Sequence, residues 1–519
     1  MLEVLVFAVA ASALVVLAEL AQERTRVPGA VLLVLAGLGY GLLPGPNVEM
    51  HPDVVLTLVL PPLLYWAALN ASLLEIRAHL RAVVSLAVAL VLVTALAVGT
   101  GLALVVPGLS LAAAIALGAA VAPPDPVAAL SIGRRAGLPR RLGTLIEGEG
   151  LLNDATAITI LQVALAVAVG GNFFLPGAAG RFVYAAAVGS AVGWAVASGA
   201  AWLRGRLRDP LADNAVSLVT PFLAYLITEE LHASGLLAVV IAGLRVGHAA
   251  PAFQSAPNRL QTRPVWGLVN FLLEGVVFLL IGNQLPAVLR GLRAYPPGTV
   301  AAAVAVSVGT VLLVRPVWLL LTSHLPGRLG TERIAIALSG REVVAMSWAG
   351  TRGVISLAAA FAIPTAAAGP YRDLLLICAY AVVLVTLVVQ GVTFAPLIRV
   401  LGLRGTPEDD LRRADEARLA AVRAGERRLL RTLKERTVSD DVLAGLRQLV
   451  ELRRQRSFAY DSYIGSAADT PRVVLTELRR SMIDAEREEL LHWRDAGRLS
   501  TPALLELLRE LDHEESLLT

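Results

Sequence analysis

Charge is scarce in this sequence. Only 17% of its 519 residues are Asp, Glu, Lys or Arg, where an ordinary soluble domain carries about 25%. Most of that charge lies in short clusters and after about residue 404. Cysteine is nearly absent: the single Cys378 excludes an intrachain disulfide and any cysteine-rich metal centre. A basic segment is missing ahead of the first apolar run, which begins Met1-Leu2-Glu3, so that run reads as a retained helix and not as a cleaved signal. The net charge of +4 and the isoelectric point near 9.4 imply no nucleic-acid partner. The basic residues stand at the ends of apolar runs, where membrane topology accounts for them.

What is present is hydrophobic sequence: 56% of residues, with a mean hydropathy of +0.68. Runs of roughly 18 residues or more recur, the length that crosses a bilayer. About thirteen spans are expected, at 2–21, 27–44, 53–73, 80–106, 109–132, 141–169, 181–203, 213–231, 234–247, 264–289, 298–323, 342–366 and 372–400. The ninth is short. Backbone groups in lipid must pair within the segment, and these segments are rich in helix formers, so the spans are helices. Loops joining odd to even spans carry seventeen arginines, among them Arg26, Arg204, Arg328 and Arg333, whereas the even-to-odd loops carry Arg181, Arg290, Arg293 and Arg372. That asymmetry places the N-terminus outside and the C-terminus in the cytoplasm. The fold class is therefore an all-α polytopic membrane protein over 1–404, with a cytoplasmic tail over 405–519. The tail has helical periodicity, dense charge and no nucleotide or metal signature, as a small bundle of solvated helices would.

Several charges sit inside the spans. "IEGEGLLNDATAI", Ile146 to Ile158, holds Glu147, Glu149, Asn153 and Asp154. Asp154 lies about thirteen residues into the sixth span, roughly 20 Å deep and near the midplane. The fifth span carries Asp125 between Pro124 and Pro126, which interrupts the helical hydrogen-bond ladder. The twelfth carries Arg352 between Gly350 and Gly353. Charges at that depth face a protein interior or a water cavity. The two interrupted spans are seven apart, an odd offset that reverses direction, and each is fifth in a set of six (1–6 and 8–13). Two inverted six-helix repeats with broken helices at matching places point to a transport site at the midplane.

At this point the chain resembles a known family. "VLPPLLYWAALN" from Val59, "APPDPVAAL", "LIEGEGLLNDATAI", "AYLITEELHASGLLAVVIAG" and "GTRGVISLAAAFAIP" are similar to segments of monovalent cation–proton antiporters of the sodium/proton exchanger type. The likeness runs in order over residues 1 to about 404. It implies crossing broken helices, a homodimer in a bacterial cytoplasmic membrane, and an elevator-like movement of a core domain. It implies one cation exchanged for one proton where the motif reads Asn-Asp, and a structural pair between Glu149 and Arg352. Glu229 and Glu274 match family positions where packing or pairing explains them as well as transport does. In three places the chain departs from the pattern: Tyr65-Trp66 stand in a region that often holds a glutamate, Gly150 stands where serine is common, and Pro124 where threonine is. The site then has fewer side-chain oxygens, which leaves Na+ against K+ open.

The chemistry is arguable from the residues themselves. A carboxylate that exchanges Na+ or K+ for H+ binds either and never both. Hard alkali cations prefer oxygen ligands, and burial beside a second carboxylate brings proton and cation into competition. Asp154 is the expected carrier, with Asp125, Asn153 and the carbonyl of Pro124 contributing oxygen. Glu147, two turns from Asp154 on the same face, lines a funnel or is simply solvated. The expected function is antiport of a monovalent cation, Na+ first and K+ as the alternative, with no cofactor and no enzymatic activity. Two rivals are weaker. An intramembrane aspartyl protease would want a Gly-x-Gly-Asp frame, and none is present. A passive channel leaves the paired broken helices unexplained.

Overall fold

A computed structural model of the chain describes residues 2–25, 29–43, 54–170, 175–324 and 338–403, and scattered positions between 424 and 511. Contacts divide the chain into two units, Met1–Gly405 and Thr406–Thr519. The expected tail lies almost wholly outside the described residues, as do Arg26, Arg328 and Arg333.

Every regular element among the described residues of the first unit is a helix. Its helices are α1 Leu2–Thr25, α2 Gly29–Leu42, α3 Leu60–Asn70, the short α4 Leu73–Ala78, α5 Leu80–Val105, α6 Leu111–Val121, α7 Pro126–Ala136, α8 Arg140–Ala168, α9 Leu175–Arg204, α10 Pro210–Glu230, α11 Gly235–Phe253, α12 Ala256–Gly291, α13 Pro297–His324, α14 Gly340–Trp348, α15 Val354–Phe361, α16 Arg372–Val385 and α17 Gly391–Leu401. Eight helices among the described residues are long and apolar enough to cross a membrane, and four more are shorter apolar helices. The ninth span, expected to be short, is a full helix of 19 residues, because α11 continues past Gly247 to Phe253. α12 runs 36 residues, about 54 Å at 1.5 Å per residue, and so outlasts a hydrocarbon core of about 30 Å.

The expected breaks are present. The fifth span is α6 followed by α7, separated at Ala122–Asp125; Pro126 takes the first position of α7, where its missing N–H costs nothing. The twelfth is α14 followed by α15, separated at Ala349–Gly353. Serines cap two of the helix starts: the Ser110 hydroxyl accepts from the Ala113 N–H at 3.1 Å, and Ser339 with Glu342 forms a capping box at α14.

Small residues set the packing, as is usual where lipid removes the hydrophobic drive between helices. α2 and α12 lie backbone to backbone. A Cβ on Gly37 would land on the Leu279 carbonyl, and one on Gly282 on the Val34 carbonyl. Gly282→Leu should therefore destabilise the fold by at least the ~1–3 kcal/mol typical of overpacking. A melting temperature in detergent equal to that of the wild type would contradict this close approach.

Polar ties hold the arginine-rich ends. Arg204, expected as a topological loop arginine, is instead buried in a two-pronged pair with Asp213 of α10, at 3.0 and 2.9 Å, with the two side chains 1% and 0% exposed. Gln254 donates to the same carboxylate at 3.0 Å. Glu75 of α4 accepts from Arg140 at 2.5 Å and from the Thr144 hydroxyl at 2.6 Å, both on α8. That hydroxyl, aided by Arg140, holds the Glu75 carboxyl below its usual value of 4.5 against partial desolvation. The contact therefore contributes fully above about pH 4.5 and is lost as pH falls through the lower folded value. Glu75→Gln should remove this acid-limb slope from the stability profile, an effect of no more than about 1 kcal/mol for so exposed a pair. A slope identical in the variant would refute the assignment.

Candidate functional site

The two helix breaks meet. The Asp125 N–H donates to the Thr351 carbonyl at 2.6 Å, and the Thr351 hydroxyl donates to the Asp125 carbonyl at 3.1 Å. Backbone groups released by the breaks thus satisfy one another where water is scarce. Asp125 directly precedes α7, and its carboxylate lies against Gly353, the residue that opens α15; a Cβ on Gly353 would collide with it. A negative group is favoured at helix N-termini.

Glu149 is not paired with Arg352. Its partner is Arg315 of α13, whose Nη2 donates to Oε2 at 2.8 Å and whose Nη1 donates to Oε1. Arg315 also donates from Nε to the Met346 carbonyl at 2.8 Å, in the last turn of α14. Glu149 is 1% and Arg315 2% exposed. Arg352, also 2% exposed, turns the other way. Its Nε and Nη2 donate to the carbonyls of Val121 and Ala122, each at 3.1 Å, and its Nη1 to that of Gly350. The physical reason is the helix break. The C-terminal end of α6 presents carbonyls without intrahelical partners, and a guanidinium satisfies them while complementing the helix dipole. Each broken span therefore has its carbonyl end held by an arginine: α6 by Arg352, α14 by Arg315. The legible signal for Arg315 was a lone arginine inside an otherwise apolar eleventh span, "VLLVRPVWLLL".

Asn153 and Asp154 lie on α8 beside the crossing, 0% and 4% exposed. The Asn153 Nδ2 donates to the Pro124 carbonyl at 2.9 Å. Its Oδ1 is buried with no hydrogen-bond partner among the described residues, leaving an acceptor next in sequence to Asp154. Asp125 and Asp154 are close enough for their charges to act on each other. Among the described residues no arginine lies within ion-pair distance of Asp154. Pro124, Asp125, Asn153 and Asp154 are thus brought together, while Glu147 is half-buried elsewhere along α8.

The unusual residues also have physical accounts. A Cβ on Gly150 would overlap the Pro126 ring, so that ring fills the place a serine would need. Tyr65 is fully buried against Trp266, with ring centroids 5.2 Å apart, and Trp66 stacks on the same ring at 6.4 Å. The Trp266 indole N–H donates to Ser217 at 3.0 Å. This aromatic group belongs to the packing of α3 with α10, α11 and α12.

The family model described as "Sodium/hydrogen exchanger, transmembrane" matches residues 10–400. An uncharacterized Na+/H+ exchanger of Mycobacterium tuberculosis (strain ATCC 25618 / H37Rv) is 34% identical over 98% of this chain and 95% of its own. The Na+/H+ antiporter ApNhaP of Aphanothece halophytica is 30% identical over 80% of this chain and 77% of its own. Among solved structures, the sodium proton antiporter MjNhaP1 from Methanocaldococcus jannaschii superposes with a TM-score of 0.61 at 20% identity, covering 77% of this chain and 100% of that one. The last likeness establishes the fold.

Proposed function

The chain belongs to the sodium/hydrogen exchanger family, a family of transporters and not of enzymes, and from that membership we propose a multi-pass antiporter that exchanges a monovalent cation for H+ with Asp154 as the shared carrier. One observation carries the reading. Both intramembrane arginines near the site are occupied, Arg315 by Glu149 and the Met346 carbonyl, Arg352 by the carbonyls of the α6 break. Asp154 is buried without either of them. A carboxylate in that position needs a counter-charge, and the counter-charge that can come and go is a proton or a cation. Asn153 Oδ1, the Pro124 carbonyl and Asp125 offer the oxygens a hard cation requires.

The cycle alternates access by movement of the broken-helix region, in a homodimer, in the cytoplasmic membrane with the N-terminus outside. Glu147 lines the cytoplasmic approach. Na+ is the first choice of cation. K+ is the second reading, and the observation behind it is Gly150: with Pro126 packed over it, no hydroxyl ligand is available there, and the more weakly hydrated ion tolerates a poorer shell. Asp125 sits at the N-termini of α7 and α15, where a fixed negative charge is favoured, and Asn153 carries no proton, so in this reading one H+ leaves Asp154 as one cation enters. Exchange should then be independent of an imposed membrane potential. If a net charge moved, each 100 mV would change the driving force by about 2.3 kcal/mol. Proteoliposomes held at a potassium–valinomycin potential, with Na+ as the substrate, test this. Voltage-dependent rates or a transport current would instead require a second titrating carboxylate. The same competition predicts an apparent cation KM that rises steeply as pH falls, and a flat KM through the acid range would rule out a single shared site.

A further inference from the structure

A cavity of about 720 Å3 opens beside the C-terminal half of α8, away from the Arg140–Arg141 end of that helix. Its floor begins at Ala155, the residue after Asp154, and its wall climbs α8 through Thr159, Gln162 and Val163. That climb is about 12 Å at 1.5 Å per residue. The opposite wall is the turn between α10 and α11, with Glu229, His232 and Ser234. Arg181 of α9 also lines the cavity.

The turn that carries Glu229 is built, not loose. His232 holds a left-handed conformation at φ 52°. The Leu231 and Ala233 N–H groups both return to the Thr228 carbonyl, at 3.2 and 3.0 Å, and the His232 N–H to the Glu229 carbonyl at 2.9 Å. The Tyr184 hydroxyl donates to the Leu231 carbonyl at 3.0 Å, fastening α9 to the same turn. The Ser234 hydroxyl caps the N-terminus of α11, and the Glu229 carboxylate accepts from the Gly235 N–H beside it, which fixes the carboxylate at the cavity wall while leaving its charge without an ion-pair partner among the described residues. Gly235 leaves space for its carboxylate: a Cβ there would meet both Glu229 and the Tyr225 ring. Among the described residues Glu229 has no cationic partner within ion-pair distance.

We propose that Glu229 is a second, low-affinity cation-binding group, which draws hydrated monovalent cations into this vestibule and delivers them towards Asp154. The volume accommodates on the order of twenty waters at about 30 Å3 each, so a cation enters with its hydration shell. A carboxylate without an ion-pair partner in a cleft with low-dielectric walls focuses the field and concentrates cations. Thr159 and Gln162 supply neutral oxygens along the way down. Arg181 opposes this field, which makes the balance between residues 181 and 229 the determinant of cation recruitment.

The proposal rests on Asp154 as the transport carboxylate, and its test reads the vestibule without transport. The native Cys378 is fully buried, so Gln162→Cys in the full chain places one accessible thiol in the cavity. Intact cells are labelled with two membrane-impermeant methanethiosulfonates, one bearing trimethylammonium and one sulfonate. The cationic reagent should react faster. Glu229→Gln should lower the cationic-to-anionic rate ratio by about tenfold, the low end of focusing by a charged cleft. Glu229→Asp should keep the ratio, and Arg181→Gln should raise it. In exchange assays Glu229→Gln should raise the apparent cation KM at that face alone. A ratio unchanged by Glu229→Gln, or labelling obtained from the opposite face alone, would overturn the proposal. Exchange persisting in Asp154→Asn would sink the transport reading while leaving the labelling result standing.

Discussion

Asp154→Asn should reduce cation-driven proton movement to the level of empty liposomes, while the protein still inserts and folds. The substitution keeps the size and planar shape of the side chain and removes its ability to carry charge. The surrounding contacts do not depend on that charge: Asn153 remains tied to the Pro124 carbonyl, and the Asp125–Thr351 exchange holds the crossing. Stability should be retained or should rise, because a buried carboxylate without a fixed cationic partner is a cost to folding. Measuring dye-reported exchange with Na+, K+ and Li+ alongside a melting temperature separates the two effects. Robust exchange in the variant would remove Asp154 from the carrier role. A collapsed melting temperature would mean that the carboxylate is structural.

Arg315→Ala should be among the most destabilising single changes in the chain, by roughly 3–5 kcal/mol, because it strands Glu149 in a buried site. Glu149→Ala should cost a similar amount, leaving Arg315 with the Met346 carbonyl alone. The double substitution should cost clearly less than the sum, as expected for residues in direct contact. The comparison that decides the pairing uses Arg352. Its side chain answers to the Val121, Ala122 and Gly350 carbonyls, so Arg352→Ala combined with Glu149→Ala should be much closer to additive. Equal coupling of Glu149 to both arginines, from denaturation midpoints in detergent, would contradict the geometry.

Much of the fold was legible before any coordinates. Apolar length marks a membrane helix because hydrocarbon thickness is nearly constant, and α5, α8 and α13 appear where the runs placed them. Proline and glycine mark breaks because their backbone limits are local, so "AAVAPPDPVAA" and "SWAGTRGVISL" fall open at the expected places. The candidate residues were legible for the same reason: Asn153-Asp154 and Pro124-Asp125-Pro126 are polar groups and a break inside apolar runs, and the structure brings them together through the Asn153–Pro124 hydrogen bond.

What the sequence by itself determined, then, is the all-helical architecture, where two of the helices break, and which polar groups stand inside apolar helices. These depend on short-range rules. The tertiary structure alone decided who meets whom. Helical periodicity puts Glu149 on a face but does not say which distant arginine reaches it, and the one that does is Arg315, 166 residues away. Arg352 is free for Glu149 only if the α6 carbonyls are left out of the count; once the helix is broken, those carbonyls compete for the guanidinium and hold it. Arg204 belonged with the loop arginines until α10 brought Asp213 against it. In each case a long, multi-donor side chain chooses among acceptors that come into reach only when the helices pack, and a linear pattern carries no information about that choice.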